Sequence, residues 1–223
     1  TIAFNQRVLA LAQDPTIPLL ERIKFIAIVG NNTDEFFMVR VGSYVQKHQV
    51  GIGTRSVNGY SPGELLTEIR QRSLVLMNEQ RETMNGLLHE MRQYGIHIRT
   101  VRELDPAVRE VVRTYFQNEV FPVLTPLAAD HARPFPFISN LSLNIGVYLR
   151  RDRQNEGEHV DFVRIKVPDA LPRLVNVSKL IQKYLGEDVE GDQLLWLEDV
   201  IANNLDLLFP GMEIVETSPF RVT

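Results

Sequence analysis

A small polar cluster near the start of the chain has the residue types to contact a ligand. It is the segment 30–35, Gly-Asn-Asn-Thr-Asp-Glu, between an apolar run (25–29) and an apolar-rich segment (36–45). Asn32 followed three residues later by Glu35 is typical of a helix start, where an Asn side chain accepts a backbone hydrogen bond and acidic residues are favourable. The alternative is a ligand pocket, in which an Asn amide both donates to and accepts from a base or sugar. Sequence physics alone favours the helix start, and composition does not decide between the two.

The histidines and carboxylates form no complete catalytic group by spacing. The five histidines are scattered, with no pair at metal-ligand spacing: His48, His89, His97, His131 and His159. Lone histidines in predicted helices are usually structural. His131 lies in a proline-rich loop but has no partner. Because the Asp and Glu residues are also dispersed, we predict no paired-carboxylate acid/base site.

Two further segments have structural interpretations that we favour over functional ones. The loop 51–56, Gly-Ile-Gly-Thr-Arg-Ser, looks superficially like a phosphate-binding loop. It joins two predicted helices and has no Gly-Lys-Thr/Ser continuation, so we interpret it as a linker. Arg150, Arg151 and Arg153 fall in a predicted turn, where a solvated hairpin tip is the favoured interpretation.

The N-terminal hundred residues are predicted to form an antiparallel α-helical bundle. Apolar residues recur at helical spacing over 4–13, 19–29, about 36–48 and 62–94. The last helix has a strong start, because Ser61 and Glu64 can form a capping box and Pro62 fits the first turn.

After Gly95 the pattern becomes that of an α+β domain with an antiparallel sheet. Strands are predicted over 96–101, 141–150, 162–167, 174–177 and 212–216, with a hairpin turn over 151–159. Helices are predicted from Asp105-Pro106, over 178–185 and over 198–209. Prolines interrupt the connection at 122, 126, 134 and 136. We place the boundary near residues 95–105, with a helical domain over 1–100 and an α+β domain over 101–223.

Composition limits the class of protein. The 223 residues are 44% hydrophobic, which is enough for a sizeable core. A net charge of -4 gives no field to attract nucleic acid, so we expect no nucleic-acid partner. The absence of cysteine excludes disulfides, thiolate zinc sites and cysteine nucleophiles. No apolar run is long enough to span a bilayer. We expect a cytoplasmic protein without a transmembrane segment, and leave peripheral membrane association open.

Several short stretches of the chain together carry a resemblance to one family. Three lie in the predicted helical bundle, at residues 4–9 (FNQRVL), 18–25 (PLLERIKF) and 32–40 (NTDEFFMVR). Others lie in the α+β half, at residues 135–144 (FPFISNLSLN), 167–168 (VP), 171–173 (LPR), 197–201 (LEDVI) and 208–211 (LFPG). The first set resembles the N-terminal helical domain of bacterial polyphosphate kinase, and the second set resembles the middle, or head, domain of the same family. Each motif is modest alone, but they run in order through essentially the whole chain.

The resemblance implies reversible transfer of the terminal phosphate of ATP to inorganic polyphosphate. It also implies a phosphohistidine intermediate and Mg²⁺ on the phosphates. In this family the phosphorylated histidine and the phosphate-binding arginines lie in two C-terminal phospholipase-D-like domains. We therefore assign no catalytic or metal residue here, and expect Mg²⁺ to be bound through those absent domains. One residue carries over as an ATP contact, at the second position of the family's Asn-Asn-Leu-Asp or Ser-Asn-Leu-Asp motif: Asn32.

The chain departs from the family pattern at two places. Thr33 replaces the usual leucine, and Thr1-Ile2 stand where the family usually has Ser-Trp-Leu. The resemblance also implies a homodimer or higher homo-oligomer through the head domain, with the Pro-rich loop and its flanking strand as interface candidates.

We expect this N-terminal and partial head region to supply an ATP contact and a dimer surface to an enzyme whose partners are ATP or ADP and inorganic polyphosphate. We expect the chain alone to be inactive. The alternative is a non-enzymatic helical interaction module fused to an α+β domain.

Overall fold

The computed structural model describes residues 1–51, 59–129, 137–151 and 160–223, and the chain divides into two units, Thr1–Tyr94 and Gly95–Val222. Three sequence predictions lie outside the described residues in whole or in part. These are the loop 51–56 beyond Gly51, His131 with the Pro-rich segment around it, and the hairpin turn with Arg153 and His159.

The first unit is the predicted helical bundle. Its helices are α1 (Ile2–Gln13), α2 (Leu19–Glu35), α3 (Gly42–Gln49) and α4 (Pro62–Met91), with a π-helical segment (Phe36–Val41) between α2 and α3 and a 3-10 turn (Arg92–Tyr94) after α4. Helix α4 packs against each of the other three. The core is made of buried apolar side chains from α1, α2 and α4: Val8, Leu9, Ala12, Ile26, Val29, Leu76 and Leu87.

The capping box predicted at the start of α4 is confirmed. Ser61 Oγ accepts a hydrogen bond from the Glu64 N–H at 3.3 Å, and the Glu64 carboxylate accepts one from the Ser61 N–H at 2.8 Å. Pro62 is the first helical residue, where its missing N–H costs nothing.

The helix start predicted at Asn32 is wrong. The chain stays helical from Leu19 through α2, the π-helical segment and α3 to Gln49. Val29 and Val41, on either side of the polar cluster, are 0% and 8% exposed. Burial of these two side chains outweighs the modest helix propensities of Asn, Thr and Asp, so no break occurs between them.

The second unit contains the predicted antiparallel sheet. Its four strands lie in the order β2 (Pro126–Ala129), β4 (Val160–Lys166), β3 (Leu143–Arg151) and β7 (Met212–Arg221). Every neighbouring pair is antiparallel. Ile145, Val147 and Leu149 on β3 face the core, as the alternation of that strand predicts.

The sequence patterns predict two strands of a second, smaller sheet, over 96–101 and 174–177, but not its third strand or the pairing of the three. Its order is β1 (Ile96–Arg99), β6 (Asp192–Trp196) and β5 (Leu174–Asn176), and β1 runs parallel to β6. Strand β6 reads Asp-Gln-Leu-Leu-Trp, in which polar and apolar residues do not alternate, so it lacks the pattern that marks a strand. Strand β2 of the four-stranded sheet is also not predicted, because it begins with a proline.

The helices of the second unit pack on these sheets around one core. They are α5 (Pro106–Tyr115), which continues as a π-helical segment (Phe116–Val120) and a 3-10 turn (Phe121–Val123), α6 (Val177–Leu185), α7 (Leu197–Ala202) and α8 (Leu205–Leu208). The single helix predicted over 198–209 is divided. The side-chain amides of Asn203 and Asn204 donate to the backbone carbonyls of Asp199 and Val200, both at 2.8 Å, which competes with regular helix geometry at this point.

Candidate functional site

Asn32 lies in the middle of a helix and reaches across to α1. Its side-chain nitrogen donates to Asn5 Oδ1 at 3.1 Å. The Asn5 nitrogen donates to Thr33 Oγ1 at 3.4 Å, and Thr33 Oγ1 donates to the Val29 carbonyl at 2.7 Å. We call these three side chains, Asn5, Asn32 and Thr33, the amide network. It joins α1 to α2 and leaves Asn32 partly exposed.

Asn32 also lines a cleft of about 400 Å³ in the first unit. The lining residues are Thr1, Phe4, Asn5, Asn32, Glu35, Phe36, Val39 and Arg40. Half of the Phe4 side chain is exposed, and the Arg7 guanidinium lies 5.9 Å from the centre of its ring. With Arg40 in its lining, the cleft combines amides, aromatic surface and a cation in one place.

Arg40 is the cation in this cleft that has no carboxylate partner among the described residues. The ion pairs of the described first unit are Arg22–Glu90, Lys24–Glu21 and Arg72–Glu68. Arg40 also borders a neighbouring cleft of about 370 Å³, lined by Tyr44 and Tyr60 among others. Glu35 and Arg40 both line the first cleft, which therefore has one acidic and one basic side chain in its lining.

Sequence reasoning missed Asn5 as a part of this site. Asn5 is 1% exposed, and it falls on the stripe that Val8, Leu9 and Ala12 continue at helical spacing. An amide at a position where the stripe predicts an apolar side chain is a detectable signal, because a buried amide needs hydrogen-bond partners.

The described histidines do not form a site. His48, His89 and His97 lie on α3, α4 and β1, respectively. Among the residues that the structure describes, no group of three or more His, Asp or Glu side chains could hold a metal ion. The side chains present in that part of the chain therefore do not fit a magnesium site.

A second cavity, of about 410 Å³, lies in the second unit, but both carboxylate oxygens of Asp199 in its lining already accept hydrogen bonds within the protein. Its lining includes Trp196, Asp199 and Pro219. Asp199 Oδ2 accepts from the Val101 N–H at 2.6 Å, and Oδ1 accepts from the Asn203 amide at 2.9 Å. Because both oxygens stabilise the fold, Asp199 is a structural residue and the cleft at Asn32 is the better candidate.

Next to this cavity an ion pair lies against the tryptophan ring. Arg173 bonds Glu198 through two hydrogen bonds at 2.6 and 2.9 Å, which raises the pKa of the Arg173 guanidinium. The same guanidinium lies 5.4 Å from the centre of the Trp196 ring. Its charge is therefore already matched by Glu198.

The predicted interface region exposes apolar surface on the outer face of the four-stranded sheet. Tyr148 on β3 is 44% exposed, and the centre of its ring lies 5.3 Å from the centre of the Phe162 ring on β4. The Phe162 ring packs over Gly146, where an added Cβ would meet it at 3.0 Å. Arg150 forms an ion pair with Glu213 on β7 at 3.0 Å, so it lies within the sheet instead of at a hairpin tip as predicted.

None of the helices in the described ranges is both long and apolar enough to cross a membrane.

Comparison with known proteins gives one family for both units. The model of the polyphosphate kinase N-terminal domain matches residues 1–99, and that of the polyphosphate kinase middle domain matches residues 107–223. The polyphosphate kinases of Mycobacterium avium and Mycobacterium tuberculosis (strain H37Ra) are each 44% identical to the chain, over 221 and 224 residues. In both cases the match covers 99% of this chain and 30% of the relative.

A solved structure agrees with these matches. The crystal structure of polyphosphate kinase from Porphyromonas gingivalis matches 99% of this chain and 31% of its own, with a TM-score of 0.81 and 28% identity. The chain thus spans about 30% of the length of the curated relatives it matches.

Proposed function

The chain belongs to the polyphosphate kinase family, and we propose that it supplies a nucleotide contact to an enzyme that transfers the terminal phosphate of ATP reversibly to inorganic polyphosphate. The proposal is carried by one observation, the cleft in which Asn32, aromatic side chains and Arg40 lie together. The match to both domain models favours this enzyme over a non-enzymatic interaction module.

The groups of the cleft suit the two ends of a nucleotide. In this proposal the amide of Asn32 meets the edge of the base, since amides pair with the donors and acceptors of bases. Phe4 and Phe36 line the cleft, and in this proposal the base stacks on one of these aromatic side chains. Arg40 supplies a charge for a phosphate oxygen. ATP and ADP share all of these features, so either nucleotide fits.

The remaining machinery belongs, in this proposal, to the part of the full-length protein outside this chain. That part would carry the phosphorylated histidine and the phosphate-binding arginines, and would hold Mg²⁺, which neutralises charge on the transferred phosphoryl group. The length of the relatives supports this division, because the chain spans 30% of them.

Asn32→Ala is expected to weaken ATP binding roughly 3- to 10-fold, the loss of one neutral hydrogen bond. Calorimetric titration of ATP into the protein of full natural length measures the change. The matched control is Asn31→Ala, which removes the neighbouring, exposed amide from the same helix and should leave the affinity unchanged. Unchanged ATP affinity in Asn32→Ala, with a loss of stability alone, would contradict the proposal and leave Asn32 a structural residue.

We also propose a homodimer or higher homo-oligomer formed through the second unit, with the outer face of the four-stranded sheet as the contact surface. Exposed Tyr148 beside Phe162 supports the choice of this face. Tyr148→Glu is expected to shift the full-length protein toward single protomers in sedimentation velocity, because a charge would then have to be buried at the contact. Lys47→Glu, on an exposed helix of the first unit, is the control and should leave the sedimentation coefficient unchanged. Two variants that sediment alike would exclude this face.

A further inference from the structure

The cavity of about 410 Å³ in the second unit has the size and the lining of a ligand pocket. Small-molecule sites have volumes of roughly 300–1,000 Å³ and are lined mainly by apolar side chains. The apolar part of this lining comes from one residue on each of four elements, β3, β6, α7 and β7: Ile145, Trp196, Ala202 and Pro219. Ile145 belongs to the core of the unit and is 1% exposed, so the cavity reaches that core. An apolar group can therefore be buried there.

Arg102 is the cation that lines this cavity, and it has no carboxylate partner among the described residues. The ion pairs between described residues of this unit use other cations: Arg113–Asp206, Arg150–Glu213, Lys166–Asp169, Arg173–Glu198 and Lys183–Glu119. The charge of Arg102 is therefore available to an anion that enters the cavity.

The turn that carries Arg102 is held by hydrogen bonds on both sides of it. The Val101 N–H donates to Asp199 Oδ2 at 2.6 Å, which ties the turn to α7. The Thr100 N–H donates to the Glu103 carboxylate at 2.7 Å, and the Glu103 N–H donates to the Thr100 carbonyl at 3.1 Å. Because the backbone at Arg102 is fixed before a ligand arrives, little backbone entropy is lost on binding.

The carboxylates of the lining limit the charge that a ligand can carry. Glu198 is matched by Arg173, through hydrogen bonds at 2.6 and 2.9 Å. Asp199 accepts only from neutral N–H groups among the described residues, so its negative charge is not matched by a cation there. One negative charge on a ligand can pair with Arg102, whereas each further charge is repelled by Asp199.

We propose that this cavity binds a monocarboxylate with an aromatic body, which pairs its carboxylate with Arg102 and packs its ring near Trp196. The Trp196 ring favours an aromatic group over an aliphatic one. A phosphate ester fits less well, because it carries close to two negative charges at neutral pH. The proposal is independent of the nucleotide contact, since the two sites share no residue.

The test uses the protein of full natural length, labelled with 5-fluorotryptophan, and 3-phenylpropionate as the probe. Titration should shift the ¹⁹F resonance of Trp196, which is identified by its absence from Trp196→Phe, with a Kd on the order of 1 mM for so small a ligand. The uncharged analogue 3-phenylpropionamide should bind roughly 2- to 5-fold more weakly, the contribution of an exposed ion pair. Benzylmalonate, which adds a second carboxylate to the same body, should also bind more weakly than 3-phenylpropionate.

Two variants separate the charge from the apolar contact. Arg102→Met keeps an unbranched side chain without the charge and should abolish the preference for the carboxylate over the amide. Ala202→Leu enlarges a side chain of the lining and should weaken both probes at least roughly fivefold. Lys179→Met removes an exposed positive charge of the same unit outside the lining, and as the control it should leave both affinities unchanged.

Loss of the carboxylate preference in Arg102→Met but not in Lys179→Met would support the assignment. A Trp196 resonance that stays unshifted at probe concentrations well above the expected Kd would overturn it. A carboxylate preference that survives Arg102→Met would overturn the role of Arg102, and equal affinities for benzylmalonate and 3-phenylpropionate would overturn the restriction to one negative charge.

Discussion

The 223-residue chain by itself is expected to make no polyphosphate from ATP. Phosphoryl transfer needs metal ions and several cations around the transferred group, because catalysis is almost entirely positioning and charge neutralisation. No described cluster of side chains fits a metal ion, and Arg40 is the cation of the cleft that lacks a described carboxylate partner. The whole rate enhancement should therefore be missing, not a fraction of it.

The measurement is incorporation of radiolabelled phosphate from ATP into acid-insoluble polymer, at millimolar Mg²⁺. The protein of full natural length is the positive control. A chain carrying Asn32→Ala is the specificity control, because a contaminating kinase would be unaffected by that change. Polymer made by the purified chain and reduced by Asn32→Ala would contradict the prediction.

Asn144→Leu is expected to lower the free energy of unfolding of the second unit by about 3 kcal/mol, because a buried charged group loses the nearer of its two acceptors and keeps only the Phe137 carbonyl at 3.4 Å. Arg164 is 6% exposed and its Nε donates to Asn144 Oδ1 at 2.7 Å. Arginine cannot lose its proton, so it cannot escape this cost by becoming neutral. The amide of Asn144 is itself held by Ser142, at 2.8 Å to the carbonyl and 3.1 Å to the hydroxyl.

The double variant Arg164→Met/Asn144→Leu provides the decisive comparison. With both partners apolar, no buried charge is left unpaired, and part of the loss should be recovered. Urea unfolding followed through Trp196, the single tryptophan of the chain, reports on this unit directly. Lys166→Met, which removes an exposed ion pair from the same strand, should cost at most about 1 kcal/mol. Strictly additive losses for Arg164 and Asn144 would show that the two side chains are not coupled.

Local signals predicted most elements of this fold. The alternation of β3 and the capping box of α4 each act within a few residues, and both are confirmed. The same kind of signal failed at Asn32, where a helix-start pattern lies within a continuous helix. That pattern reports only a local preference, and burial of Val29 and Val41 against the rest of the bundle overrides it.

The candidate site depends more strongly on contacts between distant residues. Asn32 was assigned through the family resemblance, whereas its partner Asn5 stands 27 positions earlier and carried only the signal of an amide in an apolar stripe. The parallel pairing of β1 with β6 likewise depends on residues that are far apart in the sequence. Strand β6 has no periodic pattern, and only tertiary packing specifies its place between β1 and β5.

The parallel pairing of β1 with β6 also sets an order of events during synthesis. Ile96 pairs with Asp192, about a hundred residues later, whereas the helices of the first unit lie within the first 91 residues. At roughly 5–20 residues per second, β1 waits on the order of 5–20 s for its partner to leave the ribosome. The cleft at Asn32 is complete before that interval begins, so a pause in translation exposes the unpaired edge of β1 and leaves this cleft intact.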